Sequence, residues 1–167
     1  TSIVMEAMGK SLVVEPYLAT VVIGGGFLRH GGSEAQRQAH VPSIINCTKT
    51  FAFAQLEKNS RYDLGDVSTT AKKNGGGWVI SGEKFIVANG DSADTLIVTA
   101  RTGGSQRDRS GVGVFLVPAT AKGVRAKGFA TQDGLRAANI TFEQVEVGAD
   151  AVLGDPGNGL PLVERVV

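Results

Sequence analysis

One carboxylate stands out as a group that could do chemistry. Glu164 lies in an apolar run, Leu160-Pro161-Leu162-Val163-Glu164-Arg165-Val166-Val167, whose spacing predicts a helix. Burial on such a helix would raise the pKa of the carboxyl group and make it a general base near neutral pH. The alternative is a structural role, in which Glu164 pairs with Arg165 or faces water. The residues alone leave both interpretations open.

The other reactive residue types form no recognisable constellation. His30 and His40 have no Cys or carboxylate at metal-ligand spacing, so we expect histidines at the surface or at helix ends. Cys47 has no neighbouring His and Asp and is predicted to be a small buried side chain. The glycines at 24–26 would need a further glycine at position 29, where Arg29 stands, to match a dinucleotide fingerprint. We interpret them as a kink or a close helix approach.

Composition narrows the class of protein. Seventeen Lys and Arg against sixteen Asp and Glu give a net charge of +1, so we expect no nucleic-acid or anionic-membrane partner. No apolar run reaches the ~18 residues of a membrane span. A single cysteine excludes an internal disulfide and favours a reducing, cytoplasmic setting. Glycine, at 23 of 167 residues, is about twice as frequent as the ~7% average and predicts many tight turns.

Helical patterns occupy the first part of the chain. The apolar residues at 3–8 form one face of a short helix, and the apolar run 18–23 fits a buried helix or strand, of which the flanking helices favour the helix. Ser33 and Gln36 have the spacing of a capping box, so a helix should open there and run through 41–45. Pro42 predicts a break within it.

Strand patterns follow from about residue 49. Apolar segments at 78–80 and 84–88 flank Ser81-Gly82-Glu83, which predicts a β-hairpin turn at Gly82. Four more strands are predicted, the last with a bulge: Thr95–Ala100, Val112–Val117, Val124–Phe129 and Asn139–Val147. The charged segment 102–110 is predicted to be an exposed, mobile loop, and 155–159 should end the sheet region. Strands spaced by ~8–12 residues predict an antiparallel sandwich or small barrel.

The ordered set of segments resembles the acyl-CoA dehydrogenase family. Phe51–Glu57 with Tyr62-Asp63, then Trp78–Gly90, is similar to the start of the family's middle β domain and its V-I-N-G-x-K-x-W-I-T-N-G run. Ile140–Val147 is similar to I-x-F-x-x-V-x-V. Outside the strands, Gly32–Gln36 with Pro42 matches G-[ST]-E-x-Q with L-P, and Val152–Gly159 matches V-L-G…G-x-G. Thr131–Ala138, which reads T-Q-D-G-L-R-A-A, resembles the small-subunit type of pimeloyl-CoA dehydrogenase.

The resemblance implies a fold and a domain organisation. The fold class is α+β, with N-terminal helices, an antiparallel β-barrel or sandwich middle domain and the start of a C-terminal helical domain. The expected boundaries are 1–48 for the end of the N-terminal helical domain, 49–155 for the β domain and 156–167 for the first C-terminal helix. Since helical patterns reach both ends, we expect a piece of a longer protein.

The resemblance also implies a reaction. In this family a carboxylate removes the α-proton of an acyl-CoA thioester while the β-hydrogen leaves as hydride to FAD, which yields a trans-2-enoyl-CoA. The α-proton is a very weak acid, so hydrogen bonds to the thioester carbonyl must stabilise the developing enolate in a site that excludes water. Electron-transfer flavoprotein is the expected electron acceptor, and a homo- or hetero-oligomer is the expected assembly.

Site residues are implied position by position. Phe53, Gln55 and Leu56 match positions that line the flavin ring, the last two mainly through their backbone. Tyr62 stands where the family has a serine that touches the flavin phosphate and acyl-CoA, and the neighbouring Arg61 could bind a phosphate. These two are the expected substrate-binding residues.

Two strand positions and one helix position complete the implied site. Ile86 and Ala88 stand at the Trp and Thr of W-I-T, so they are expected beside the flavin. Glu164 matches the catalytic base of isovaleryl- and long-chain-type members, while other members place theirs beyond Val167.

Departures from the family pattern keep a second interpretation open. The usual T-E-P-x-A-G-S-D segment is here Leu56–Asp63, without its proline and glycines. Ala88 lacks the threonine hydroxyl, and Ile86 cannot shield a flavin as tryptophan does. A non-catalytic partner subunit of a heteromeric acyl-CoA dehydrogenase, contributing interface and part of the CoA/FAD site, would tolerate these changes. A plain β-sandwich binding module is the third interpretation and would make the flanking helices accidental.

Overall fold

A computed structural model describes all residues, Thr1–Val167, as helices that pack on an eight-stranded sheet. The helices are α1 Ser2–Lys10, a π-helix Leu18–Gly24, α2 Gly25–Gly31, α3 Glu34–Ile45 and α4 Leu160–Val166, with a 3₁₀ turn at Ala149–Ala151. The strands are β1 Phe51–Ala54, β2 Thr70–Asn74, β3 Gly77–Ala88, β4 Thr95–Arg101, β5 Val112–Pro118, β6 Val124–Ala130, β7 Arg136–Gly148 and β8 Val152–Leu153. The α+β class is confirmed. None of the helices combines the length and the apolar character that crossing a bilayer requires.

The predicted capping box opens α3. The Ser33 hydroxyl oxygen accepts a hydrogen bond from the Gln36 backbone N–H at 3.2 Å, and the Gln36 carboxamide oxygen accepts one from the Ser33 N–H at 2.8 Å. The Gln36 amide nitrogen also donates to the carbonyls of Asp150 and Val152, at 2.6 and 2.9 Å. One side chain therefore starts the helix and ties it to the far end of the β domain.

The predicted break at Pro42 is wrong, because α3 continues through the proline to Ile45. The Pro42 carbonyl still accepts a hydrogen bond from the Asn46 N–H at 3.0 Å, and the Ser43 hydroxyl donates to the His40 carbonyl at 2.7 Å. Proline has no N–H to donate, which weakens this turn of the helix. The two bonds next to Pro42 help to maintain the turn.

The sheet is mixed rather than wholly antiparallel. The strand order is β6-β7-β3-β2-β4-β5-β8, and β1 pairs with β4 in parallel, with Phe51 opposite Thr95 and Ala54 opposite Val98. β2 meets the end of the same β4 edge, where Thr70 lies opposite Arg101. The loop between β1 and β2, residues 55–69, is long enough for the chain to leave and rejoin this edge. Three of the six candidate flavin-binding residues, Gln55, Leu56 and Tyr62, also lie in this loop.

The predicted hairpin turn at Gly82 is wrong. Residues Gly77–Ala88 form one strand, and the reversal occurs earlier, at Gly75 and Gly76 between β2 and β3. Gly82 has a φ of +149° and lies at a shift in the register between β3 and β7. A Cβ there would lie 2.7 Å from the Thr69 Cα, so this glycine allows the 55–69 loop to cross close over the strand.

Side-chain alternation on the strands creates the two largest of three apolar clusters. Ala52 and Ala54 of β1 face the interior of the sheet, where the larger cluster includes Ile80, Phe115 and Ile140. Phe51 faces the helices, and the second cluster joins it to residues of α2, α3, β4, β5, β8 and α4: Phe27, Leu28, Ile44, Ile97, Val114, Leu116, Leu153 and Val163. A Cβ on Gly24 would lie 2.9 Å from the Phe51 Cβ, so the predicted close helix approach is confirmed.

Candidate functional site

The loop that follows β1 runs beside β3 and brings three of the candidate residues together. The Phe85 N–H donates to the Leu56 carbonyl at 2.8 Å, and the Lys84 ammonium donates to the Gln55 carbonyl at 3.2 Å. These two bonds attach Gln55 and Leu56 to β3 directly before Ile86. Gln55, Leu56 and Ile86 therefore lie near one another at the C-terminal end of β1.

Gln55 and Leu56 present hydrogen-bond donors that nothing in the chain accepts. Their carbonyls are bonded to β3, but neither of their backbone N–H groups donates a hydrogen bond within the chain. The Gln55 side-chain Nε2 is buried and also has no partner. Both residues are half-buried, and a buried amide donor such as Gln55 Nε2 is almost always paired in native proteins. The unpaired Nε2, with two unpaired backbone N–H groups beside it, marks a place for an acceptor-rich ligand.

Phe53 lies on β1 two residues before Gln55, and its side chain faces the helices. It is half-buried, and its ring centroid lies 4.7 Å from that of Phe27 on α2, with the planes tilted by 45°. The contact anchors the end of β1 against α2. Phe53 thus supplies an apolar wall on the helical side of the donor pair.

Ile86 has an unusual backbone conformation. Its φ of +50° lies in the left-handed region, which disfavours β-branched residues, and its side chain is 59% exposed. It lies within a register shift between Lys84 and Val87, and its N–H donates to the Asn139 carboxamide oxygen on β7 at 3.1 Å. Ala88, also exposed, is the next residue of β3 that points outward. The bulge therefore displays a small apolar strip beside Gln55 and Leu56.

A buried ion pair lies directly beneath the donor pair. The Lys84 ammonium contacts the Glu57 carboxylate at 2.7 Å, with the two side chains 0% and 5% exposed, and also donates to the Thr99 hydroxyl at 3.0 Å. The Glu57 carboxylate accepts from the backbone N–H groups of Ser68 at 2.7 Å and Thr69 at 3.0 Å, and from the Ser68 hydroxyl. The sequence patterns did not single out this pair. The pair could have been suspected from the alternation along β3, because Lys84 falls on the same inward-facing side of the strand as Trp78 and Ile80.

Electrostatics keep the pair charged at neutral pH. Burial acts to raise the pKa of Glu57, but the Lys84 charge and the hydrogen bonds from Lys84, Ser68 and Thr69 outweigh it and lower the pKa to about 2. Burial lowers the pKa of Lys84 to about 8, against the opposing attraction of Glu57. The carboxylate and the ammonium therefore compensate each other in the interior.

Arg61 and Tyr62 project from a turn next to this cluster. The Ser60 N–H donates to the Glu57 carbonyl at 3.1 Å, and the Asp63 N–H donates to the Ser60 carbonyl at 2.9 Å, so the turn itself is well bonded. Tyr62 is 99% exposed, and Arg61, with a φ of +48°, is exposed as well. A polar cleft of about 320 Å³ borders the turn and is lined by Lys58, Asn59, Glu83 and Gln106 among others. Neither Arg61 nor Tyr62 contacts the donor pair.

Glu164 lies apart from these residues. It pairs with Arg109 of the 102–110 segment at 2.5 Å, not with Arg165, and its side chain is 39% exposed. The helix α4 packs on α2, where Val166 and Leu162 lie over Gly26 and Gly31. The expected desolvation of the Glu164 carboxylate is therefore not provided by the residues of this chain.

The remaining candidates have structural or surface positions. His30 is exposed near the end of α2, as predicted, and His40 is half-buried with its ring edge-on to Phe51. The prediction that Cys47 is buried is wrong, because it is exposed just beyond α3 with a φ of +53°. No group of three or more His, Cys, Asp or Glu residues could hold a metal ion.

Comparisons with known proteins agree on one family. The family described as "Acyl-CoA dehydrogenase, middle domain" matches residues 52–145. The chain is 34% identical over 146 residues to the probable acyl-CoA dehydrogenase YngJ of Bacillus subtilis, a match that covers 86% of this chain and 38% of that protein. It is 33% identical over 146 residues to the mitochondrial short-chain specific acyl-CoA dehydrogenase of Rattus norvegicus, covering 86% of this chain and 35% of that protein. The chain thus spans little more than a third of the length of these relatives.

A solved structure gives the same picture. Butyryl-CoA dehydrogenase from Megasphaera elsdenii superposes with a TM-score of 0.83 at 26% identity, over 89% of this chain and 39% of that one.

Proposed function

This chain belongs to the acyl-CoA dehydrogenase family, and from that premise we propose that it is the FAD-binding part of an acyl-CoA dehydrogenase that oxidises the α,β bond of an acyl-CoA thioester to a trans-2-enoyl-CoA. When bound, FAD supplies the acceptor for the hydride that leaves the β-carbon. The domains proposed are the end of an N-terminal helical domain at 1–48, a middle β domain at 49–155 and the first C-terminal helix at 156–167.

The three unmet donors at Gln55 and Leu56 are the observation that carries the proposal. An isoalloxazine ring presents carbonyl oxygens and ring nitrogens as acceptors along one edge. The Gln55 N–H, the Leu56 N–H and the buried Gln55 Nε2 are complementary donors to such an edge, so the residues present fit the group. In this proposal Phe53 and the exposed strip of Ile86 and Ala88 supply the apolar contacts beside the donors.

The turn that carries Arg61 and Tyr62 is assigned to the phosphate-bearing end of the site. An exposed guanidinium can bind a phosphate through two parallel hydrogen bonds, and the ring of Tyr62 can pack on an acyl-CoA or a flavin. Both side chains are free to do so because neither is held by another residue of the chain.

Glu164 is proposed as the base that removes the α-proton. For this role it must exchange its contact with Arg109 for a drier environment, because the proposed proton transfer takes place in a site that excludes water. Substrate or a further part of the protein would provide that cover. The proposed electron acceptor is electron-transfer flavoprotein, and the proposed assembly is a homo- or hetero-oligomer.

The test uses the protein that carries this chain, purified with any partner that accompanies it. We expect a yellow preparation whose flavin absorption is bleached by acyl-CoA under anaerobic conditions. The variant Glu164→Gln should keep the flavin and lose the bleaching. A colourless protein that fails to take up added FAD would overturn the proposal, and a Glu164→Gln protein that bleaches normally would move the base to another residue.

A second candidate function is a partner subunit without its own turnover. Two observations favour it. Ala88 offers no hydroxyl group to a flavin, and Tyr62 extends fully into solvent, where another subunit could contact it. Co-purification with a catalytic homologue, together with activity that is insensitive to Glu164→Gln and Tyr62→Ala, would select this role over the first.

A further inference from the structure

The buried cluster of Lys84 and Glu57 holds the peptide that carries one of the unmet donors. We propose that Lys84 is a positioning residue for the flavin, which fixes the Gln55 carbonyl and thereby aims the Leu56 N–H out of the fold. This inference rests on the proposed function, because it assigns the N–H to FAD. It goes further by naming the group that sets the donor's direction.

A single peptide unit joins the carbonyl that Lys84 holds to the unmet donor. The Gln55 carbonyl and the Leu56 N–H belong to the same planar trans peptide, so the two groups point in opposite directions. Lys84 Nζ donates to that carbonyl at 3.2 Å from the interior. The Leu56 N–H must therefore point away from Lys84, where it meets no acceptor of the chain.

The ammonium has no freedom to release this peptide. It has three donors, and all three are used, on the Gln55 carbonyl, the Glu57 carboxylate at 2.7 Å and the Thr99 hydroxyl at 3.0 Å. The Lys84 side chain is fully buried, so it cannot exchange these partners for water. A donor fixed in this way needs no reorganisation when a ligand binds, which is how preorganised sites gain affinity.

Stability alone does not account for such a cluster. Buried ion pairs are often no more stabilising than apolar side chains of the same shape, because both charges lose their hydration. An apolar pair at these positions could fill the same volume, but it would leave the Gln55 carbonyl unbound. The positioning role can therefore be separated experimentally from the packing role.

The experiment compares two variants in the protein that carries this chain. Lys84→Met with Glu57→Gln removes the hydrogen bond to Gln55 without leaving a buried charge unpaired. Thr95→Val makes the same kind of change at another buried threonine of β4 that has no bond to the ammonium, and it serves as the matched control. FAD affinity is measured by flavin fluorescence, together with the absorption spectrum and reduction potential of the bound flavin.

We expect the double variant to bind FAD about tenfold more weakly or worse, the effect of losing roughly one good hydrogen bond. Its flavin spectrum and potential should shift while its circular dichroism spectrum stays native. Thr95→Val should stay within about twofold of wild type. An unchanged affinity, spectrum and potential in a folded double variant would overturn the inference.

If the double variant does not fold, Glu57→Gln alone decides. It loosens the ammonium but keeps the lysine, and unchanged flavin affinity and spectrum would again overturn the inference. Failure of the proposed function looks different, because the wild-type protein would then hold no FAD at all. If the wild-type protein binds FAD and the variants bind it equally well, only the proposed role of Lys84 is refuted.

Discussion

Lys84 Nζ lies 2.7 Å from Glu57 Oε1, and both side chains are almost completely removed from solvent. The pair links β3 to the loop after β1, residues 27 positions apart in the chain. Removing only one of the two charges would leave the other unpaired in this interior, which costs several kcal/mol.

Acid should destabilise the protein through Glu57. Its pKa is about 2 in the folded chain and 4.5 ordinarily, so the unfolded chain binds the proton more tightly. The stabilisation is therefore complete above about pH 4.5 and is lost as the pH falls towards 2, by about 3 kcal/mol in total. Urea unfolding at several pH values between 6 and 2.5 measures the slope.

The control for this prediction is Glu57→Gln, which retains every other acid. Its baseline stability is expected to be lower because Lys84 stays buried without a carboxylate. Its stability should nevertheless decline less steeply between pH 4.5 and 2.5 than that of wild type. Parallel curves for the two proteins would contradict the assignment of this acid sensitivity to Glu57.

Arg101 should be required for the order of the 102–110 segment. Its guanidinium is buried and donates to five backbone carbonyls, in Gly65, Val67, Gln106, Asp108 and Ser110, at 2.6–3.4 Å. We expect Arg101→Met to lower the free energy of unfolding by about 2–4 kcal/mol, since these carbonyls would lose their donors. Hydrogen exchange of residues 103–110 should accelerate. The exposed Arg107→Met is the control, and an equal effect of both changes would contradict this role.

Gly82 should tolerate no side chain. Its φ of +149° is open to glycine alone, and an added Cβ would lie 2.7 Å from the Thr69 Cα. Gly82→Ala is expected to cost about 2–4 kcal/mol of unfolding free energy, since strain and overpacking act together. Gly76→Ala, where an added Cβ meets nothing within 4 Å, should cost much less. Thermal unfolding of both variants makes the comparison, and similar melting temperatures would refute it.

Local patterns were enough to predict much of the fold. The capping box at Ser33, the helix at 18–23 and strands β4 to β7 depend on spacing and on nearby residues, and the structure confirms them. The turn at Gly82 was mispredicted because a glycine between apolar segments is typical of a hairpin. Only the packing of Thr69, 13 positions earlier, makes that glycine a crossing point instead.

The candidate site was less predictable for a related reason. The positions Gln55, Leu56 and Ile86 could be named from the family resemblance, but their unmet donors depend on which carbonyls the neighbouring strand takes. The partner of Glu164 also lies far away in the chain, because Arg109 comes from a loop that Arg101 folds back. Pairings across such distances leave no periodic signal in the sequence.

Ile86 should show a conflict between stability and flavin binding. A β-branched residue held at a φ of +50° stores strain of about 1–3 kcal/mol, and the bond from its N–H to Asn139 holds it there. Ile86→Gly relieves that strain and loses some of the gain to the greater freedom of glycine when unfolded, so we expect a net stabilisation of about 0.5–1 kcal/mol. The same change removes the exposed apolar side chain beside Gln55 and should weaken FAD binding several-fold. Ile86→Ala is the matched control, since it keeps the strained Cβ and should weaken FAD binding without raising the melting temperature. A glycine variant that is less stable than the alanine variant would show that Ile86 stores no strain, because burial cannot explain the difference at a position 59% exposed.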